Sequence, residues 1–179
     1  AFVKMCLLPD DVVGAAYPVK NCWDAWTSIP HLDVEANGTT NIQGRPLEDG
    51  SALIKAAVLA GGFVRISRRV FETFKEKYPE LWYQEPTTDK ENPEHKFTSF
   101  YGAESIDHKF FGEDHCFAKR LRDMGIPMWI YPNVNIIHWG YKDFGGNYDK
   151  WLKKNFNEDK SKVAKHLQES NQAGQRLAM

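Results

Sequence analysis

The sequence lacks an excess of charge of either sign. Its 179 residues include 23 Lys and Arg against 24 Asp and Glu, which gives a formal net charge of -1. Proteins that bind the phosphates of nucleic acid usually carry a strongly basic domain or patch. We therefore expect no nucleic-acid partner.

Cysteine is also scarce. The chain has three, Cys6, Cys22 and Cys116, an odd number without C-x-x-C spacing. This pattern argues against a disulfide framework and against a structural zinc site. A reducing, cytoplasmic location fits it best.

Long hydrophobic runs are missing as well. No apolar run approaches the roughly 20 residues that span a bilayer, and no basic stretch leads into an apolar segment near the start. We expect no integral membrane segment. Residues 1–5 begin as a helix already under way, without a starting Met or a capping residue, so we expect the chain to be a piece of a longer protein.

What the sequence does contain is enough apolar material for one core. Hydrophobic residues make up 42% of the chain, and aromatic residues 13%. Strands alternate with helices, which predicts an α/β fold with a mixed sheet. We expect a main domain over residues 1–150 and a helical extension over 151–179. Aromatic side chains are common where proteins hold sugar rings and equally common in cores, and both interpretations stay open.

Local patterns predict the order of elements. The predictions are the end of a helix over residues 1–8, a buried strand over 12–17, loops and hairpins over 21–50, strand, turn and strand over 51–66, a helix over 68–78 capped by Ser67, a surface loop over 84–96, a helix from Asp114 to about Met124 ended by Gly125, strands over 128–131 and 135–138, and a helix beyond Lys150.

Residues 112–140 are the densest in groups that packing alone does not require. An acidic pair, Glu113 and Asp114, opens the predicted helix that carries Arg120 and Arg122, and the strand after it ends at His138. Two acids, two guanidinium groups and one imidazole could therefore converge on one pocket.

Three blocks in this order resemble the GT-A glycosyltransferases of the large family 2 type. The first runs from Asp11 to Lys20 and contains Y-P-x-K, and the second, Leu59 to Phe71, contains G-G-F. The third is the segment from Gly112 to Gly140, with its x-E-D motif and its His-x-Gly. The resemblance implies a GT-A-like mixed sheet and transfer of a sugar from a nucleotide-sugar donor to a carbohydrate or other hydroxyl acceptor, by inversion.

One motif of that family is absent. The family's metal and nucleotide site needs Asp-x-Asp, and no Asp-x-Asp occurs in this chain. In the family this motif would fall shortly before residue 1, together with the first nucleotide-binding strands. The resemblance thus implies the C-terminal half of a catalytic domain, which would need further acidic ligands to hold Mn²⁺ or Mg²⁺.

The resemblance also implies roles for single residues. Asp114 would be the base that deprotonates the acceptor, and Glu113 would orient the acceptor or the base. His138 would be a metal ligand. From the residues alone, Asp114 could instead be a helix N-cap, and His138 an ordinary core or edge residue.

A further set of residues would contact substrate. Arg120 would contact a diphosphate or pair with a nearby acid, Trp139 and Tyr141 would stack on a sugar or cover the core, and Gly61 and Gly62 would border a ligand or form a tight turn. Lys20 would contact donor or acceptor.

Two other classes of function remain open. One is a non-catalytic carbohydrate-binding or assembly module. The other is a metal-dependent hydrolase or nuclease that uses Glu113, Asp114, Asp107 and His138.

Overall fold

The computed structural model describes residues 2–20, 22–34, 40–84, 95–139 and 144–156. The helices are α1 (Phe2–Leu7), α2 (Arg68–Lys77), α3 (Glu113–Asp123) and α4 (Tyr148–Phe156). The strands are β1 (Val12–Gly14), β2 (Pro18–Val19), β3 (Cys22–Trp26), β4 (Ile29–Pro30), β5 (Leu32–Val34), β6 (Thr40–Ile42), β7 (Gly44–Pro46), β8 (Ala52–Val58), β9 (Val64–Ile66), β10 (Trp82–Tyr83), β11 (Phe97–Thr98), β12 (Glu104–Ile106), β13 (Lys109–Phe111), β14 (Met128–Ile130), β15 (Asn135–His138) and β16 (Phe144–Asn147). A single 3-10 turn, Gly61–Phe63, lies between β8 and β9.

A mixed sheet forms the centre of the fold. Its strand order is β4-β8-β14-β1-β9, and β7 also pairs with β8. Strands β1 and β14 run parallel, and the other pairings in the sheet are antiparallel. The prediction of an α/β fold with a mixed sheet is confirmed.

Strand alternation divides the core into two parts. Val12 packs in a cluster with Phe74 of α2 and Leu121 of α3, whereas its neighbour Val13 packs in a second cluster with Met5 of α1. Successive strand residues point to opposite faces of a sheet. Helices α2 and α3 therefore cover one face, and α1 contributes to the other.

Helix α4 belongs to the same core as α2 and α3. Its Tyr148 and Leu152 are both buried in that cluster. The helix runs through residue 150, where the sequence suggested a boundary between a main domain and an extension. The rest of the proposed extension, residues 157–179, lies outside the described residues.

Small hairpins surround the central sheet. They pair β2 with β3, β5 with β6, β10 with β11, β12 with β13, and β15 with β16. The β15–β16 hairpin packs against β2, which brings two distant parts of the chain together. Hairpins were predicted between residues 21 and 50, and β5 and β6 form one there. Most of the loop predicted at 84–96 lies outside the described residues.

Most local predictions on the sheet and its helices are confirmed. The segment 51–66 is strand, turn and strand, α2 begins at Arg68, and Gly125 has the left-handed φ of +71° expected after a helix. The buried strand at 12–17 is shorter than predicted. Ser67 is the N-cap residue of α2, as predicted, but its side chain makes no capping bond.

Ser67 instead binds Asp11, at the start of β1. Its hydroxyl donates to Asp11 Oδ1 over 2.6 Å, and its N–H donates to the Asp11 carbonyl over 2.8 Å. Arg69 of α2 pairs with the other carboxylate oxygen. Arg69 and then Ser67 hold the pKa of Asp11 below its ordinary value. Asp11 thereby ties the start of β1 to the start of α2.

None of the helices in the described part of the chain is long and apolar enough to cross a membrane.

We predict that Asp11→Asn lowers the free energy of unfolding by about 1 kcal/mol at pH 7, because it removes the ion pair with Arg69. A lowered folded-state pKa stabilises the protein above the unfolded value and loses that effect as the pH falls through the folded value. The difference between wild type and variant should therefore shrink below about pH 4. Urea unfolding at several pH values measures it. Asp123→Asn, at an exposed pair with Lys119, is the matched control and should change stability by less than about 0.5 kcal/mol.

Candidate functional site

Asp114 lies in the first turn of α3 and reaches across to another element. The N-cap of α3 is Gly112, so the alternative that Asp114 is the N-cap is wrong. Its Oδ1 accepts a hydrogen bond of 2.9 Å from the backbone N–H of Gly61. This bond joins the start of α3 to the turn between β8 and β9.

Side chains approach both glycines of that turn closely, and at Gly62 a larger residue would have to displace its neighbour. A Cβ at Gly61 would lie 3.1 Å from Asp114 Oδ1 and 3.6 Å from Tyr101 Cε1. A Cβ at Gly62 would lie only 2.2 Å from the phenol oxygen of Tyr17. The side chains of Asp114 and Tyr17 lie directly against the backbone of residues 61 and 62, a contact that glycine allows because it has no Cβ.

Tyr17 lies against the second glycine of the turn. The Gly62 backbone beside its phenol oxygen opposes the rise in the pKa of Tyr17. Thr27 holds the Tyr17 backbone from the other side, with its N–H donating over 3.0 Å and its hydroxyl over 3.1 Å to the Tyr17 carbonyl. Burial, and then the charge of Asp114, raise the pKa of Tyr17, so its hydroxyl stays protonated at neutral pH.

His138 packs against Tyr17. Their rings meet edge to face, with centroids 5.2 Å apart and planes at 80°. His138 Nδ1 lies 3.1 Å from the carbonyl oxygen of Pro18. Because a carbonyl can only accept, Nδ1 carries the proton, and the lone pair of neutral His138 is on Nε2.

A continuous set of contacts therefore joins the two residues on which the sequence hypothesis depends. The Asp114 carboxylate accepts a hydrogen bond from Gly61, the Tyr17 phenol contacts the backbone of Gly62, and the Tyr17 ring packs on His138. Asp114 and His138 are both partly buried, so neither is sealed in the core. We call Asp114, Gly61, Gly62, Tyr17 and His138 the glycine-turn cluster.

The carboxyl of Asp114 has an unusual environment. Burial raises its pKa above the ordinary value, the Gly61 N–H opposes this, and the charge of the adjacent Glu113 adds to the rise. Burial is the largest of these effects, and Asp114 is therefore a stronger proton acceptor than an exposed Asp.

Other residues predicted for the site lie elsewhere or differ in their surroundings. Glu113 and Lys20 are exposed. Arg120 is only 7% exposed and pairs with Glu104, which corresponds to the second of the two roles expected for it. Trp139 directly follows β15 and is 69% exposed. Tyr141 lies outside the described residues.

Two tyrosines in this region were missed. Tyr17 lies in the Y-P-x-K block, whose tyrosine offered a signal that sequence analysis did not use. Tyr101 packs on Phe117 of α3, with ring centroids 4.4 Å apart, and nothing in its local sequence indicates that it borders Gly61.

The described residues do not make a metal site by themselves. Among them, no three His, Cys, Asp or Glu side chains are grouped so that they could hold a metal ion. His138 has the fixed tautomer of a single nitrogen ligand, but one ligand is insufficient. Asp107, considered for a hydrolase, lies in the turn between β12 and β13 with a left-handed φ of +50°.

Comparison with known proteins adds no family. No protein-family model, curated protein or solved structure matches this chain.

We predict that Gly62→Ala displaces Tyr17 and costs about 1–3 kcal/mol of unfolding free energy, because the added methyl overlaps the phenol ring. The NMR signals of the His138 ring should shift, since Tyr17 packs on it. Gly44→Ala is the control, because a Cβ there would lie 3.5 Å from its nearest neighbour, the Leu53 carbonyl oxygen, which is an ordinary contact. Unchanged stability and unchanged His138 signals in Gly62→Ala would contradict the described contact.

We predict that Asp114→Asn is at least as stable as wild type at pH 7. A raised carboxyl pKa means that ionised Asp114 destabilises the folded state above the unfolded pKa, and this penalty grows as the pH rises through the folded value. The amide keeps an oxygen for Gly61 without the charge. Urea unfolding at several pH values measures the difference in stability between variant and wild type. The advantage of Asp114→Asn should disappear as the pH falls below about 4.

Asp114→Ala is the contrasting variant. It leaves the Gly61 N–H without its partner and should cost about 1–3 kcal/mol. Equal losses in the Asn and Ala variants at pH 7 would show that the carboxylate is not penalised by burial.

Proposed function

We propose that this chain is part of a GT-A-like glycosyltransferase that moves a sugar from a nucleotide-sugar donor to a hydroxyl acceptor. The observation that carries the proposal is the glycine-turn cluster, which joins the carboxylate of Asp114 to the imidazole of His138. The mixed sheet supports the fold part of the proposal. The finer GT-A assignment depends on the three sequence blocks.

In the proposed reaction Asp114 is the base. The acceptor oxygen forms a bond to the anomeric carbon of the donor sugar and gives its proton to Asp114. The bond between the anomeric carbon and the diphosphate oxygen breaks, and its electron pair leaves with the diphosphate. The raised pKa of Asp114 suits this role, because a base is most effective when its pKa approaches the working pH.

Glu113 contributes to the basicity of Asp114 through its charge. The Gly61 N–H fixes Asp114 Oδ1, which leaves the other carboxylate oxygen for the acceptor proton. Arg120 is left out of the proposed site, because its guanidinium is buried and paired with Glu104.

The described residues would supply only part of the divalent-metal site that the proposal requires. Mn²⁺ or Mg²⁺ would neutralise the leaving diphosphate. His138 would supply one ligand through Nε2, and the acidic ligands would come from outside the described residues. The cytoplasm is the proposed location, supported by the free thiols of Cys6 and Cys116.

A carbohydrate-binding module is the second candidate. Its support is the exposure of Trp139 and Tyr101, whose aromatic faces could hold a sugar without any chemistry. It makes Asp114 a structural residue only.

The test is release of nucleoside diphosphate from a panel of nucleotide sugars by the full-length protein with Mn²⁺. Asp114→Asn should lower kcat by about 10²- to 10⁴-fold. Glu113→Gln, the neighbouring acid, should have a smaller effect. The acid limb of kcat/KM should lie above pH 3.8, because burial raises the pKa of Asp114 from that value. Turnover unaffected by Asp114→Asn, or glycan binding without turnover, would contradict the transferase.

A further inference from the structure

Tyr101 presents an aromatic ring beside the proposed base. A methyl group added to Gly61 would contact both Asp114 Oδ1 and Tyr101 Cε1, so the ring and the carboxylate border the same point of the turn. Tyr101 is nevertheless 39% exposed. The ring therefore forms an open aromatic surface next to a carboxylate.

The Tyr101 ring packs against the hydrophobic core. Tyr101 packs on Phe117, and Phe117 follows Asp114 by three residues on α3. Residues three apart lie on the same face of a helix, so one helix positions both the ring and the base. The preceding residue, Phe100, packs on Phe71 and Phe74. The Tyr101 backbone is thereby anchored through the residue before it.

The charges near Tyr101 favour some of the ligands that stack on aromatic rings over others. Asp114 places a carboxyl group beside Tyr101, and the adjacent Glu113 adds a second acidic residue to the first turn of α3. Burial and the charge of Asp114 raise the pKa of Tyr101 to about 12, so its hydroxyl remains a neutral donor. Acidic surroundings disfavour a nucleotide, which brings its own phosphates. A neutral ring with hydroxyl groups fits better.

We propose that Tyr101 is the acceptor-binding residue of this site and that the acceptor is a neutral saccharide whose ring lies on the Tyr101 side chain. This inference rests on the proposed function and extends it by naming the class of acceptor. The apolar C–H face of the sugar would cover the aromatic ring, while its hydroxyl groups would face Asp114 and Glu113. The same arrangement turns one hydroxyl toward the base.

The experiment is saturation-transfer NMR with this chain and four probes, the methyl glycosides of glucose, galactose, mannose and N-acetylglucosamine, with UDP as a fifth. We expect at least one glycoside to receive signal through its ring C–H protons. Tyr101→Leu keeps apolar packing on Phe117 but removes the aromatic face, and it should weaken glycoside binding by about three- to tenfold. Tyr101→Phe should retain it.

Phe110→Ala is the matched control, because Phe110 is an exposed aromatic residue, 58% accessible, on β13. Thermal unfolding of each variant checks that folding is intact. Glycoside binding that is absent, or equally strong in Tyr101→Leu, overturns the inference, as does UDP binding that depends on Tyr101.

The outcomes also separate this inference from the proposed function. Glycoside binding that depends on Tyr101, together with no transfer by the full-length protein, supports the inference and contradicts the transferase. Transfer that depends on Asp114, without glycoside binding at Tyr101, supports the transferase and overturns the saccharide acceptor.

Discussion

The hydrogen bond from Gly61 to Asp114 is the interaction on which the site depends. It joins residues 53 positions apart and fixes the start of α3 against the end of β8. Burying a carboxylate is unfavourable, and the Gly61 N–H offsets only part of this effect. A fold selected for stability alone would have no reason to place an acid here. A residue that lowers stability in this way is expected at a functional site.

The short turn Gly61–Phe63 organises the surrounding side chains through its backbone. The Gly61 N–H donates to Asp114, and the Gly62 backbone lies against the phenol of Tyr17, a residue from a different part of the chain. Tyr17 then connects to His138 through ring packing and through its neighbour Pro18, whose carbonyl sets the His138 tautomer. A rigid backbone turn can position an acid and an imidazole more accurately than two flexible side chains that contact only each other.

Local sequence patterns predicted the elements but not the contacts between them. Apolar spacing was sufficient for α2 and α3, and Gly125 marked the end of α3, because these signals act within one or two turns of chain. The side-chain partners of Ser67 and Asp114 could not be predicted for the same reason. Both are residue types that cap helices, yet their side chains bind Asp11 and Gly61, which are more than 50 positions away. Tyr17 was missed because its importance comes from Gly62 and His138, which only the folded chain brings to it.

Arg120 shows how a residue can support a site without belonging to it. Its guanidinium is buried, pairs with Glu104 of β12, and leaves Nη1 without a partner. Breaking such a pair is strongly destabilising because it strands a buried charge. The pair holds the β12–β13 hairpin against α3, and the same hairpin leads through Phe111, whose carbonyl is 3.4 Å from Cys116 Sγ, into the first turn of α3. The tight turn of the hairpin has left-handed backbone at both Asp107 and His108, which fixes its two-residue geometry. Arg120 therefore ties the β12–β13 hairpin to the helix whose first turn carries Asp114 beside the glycine turn.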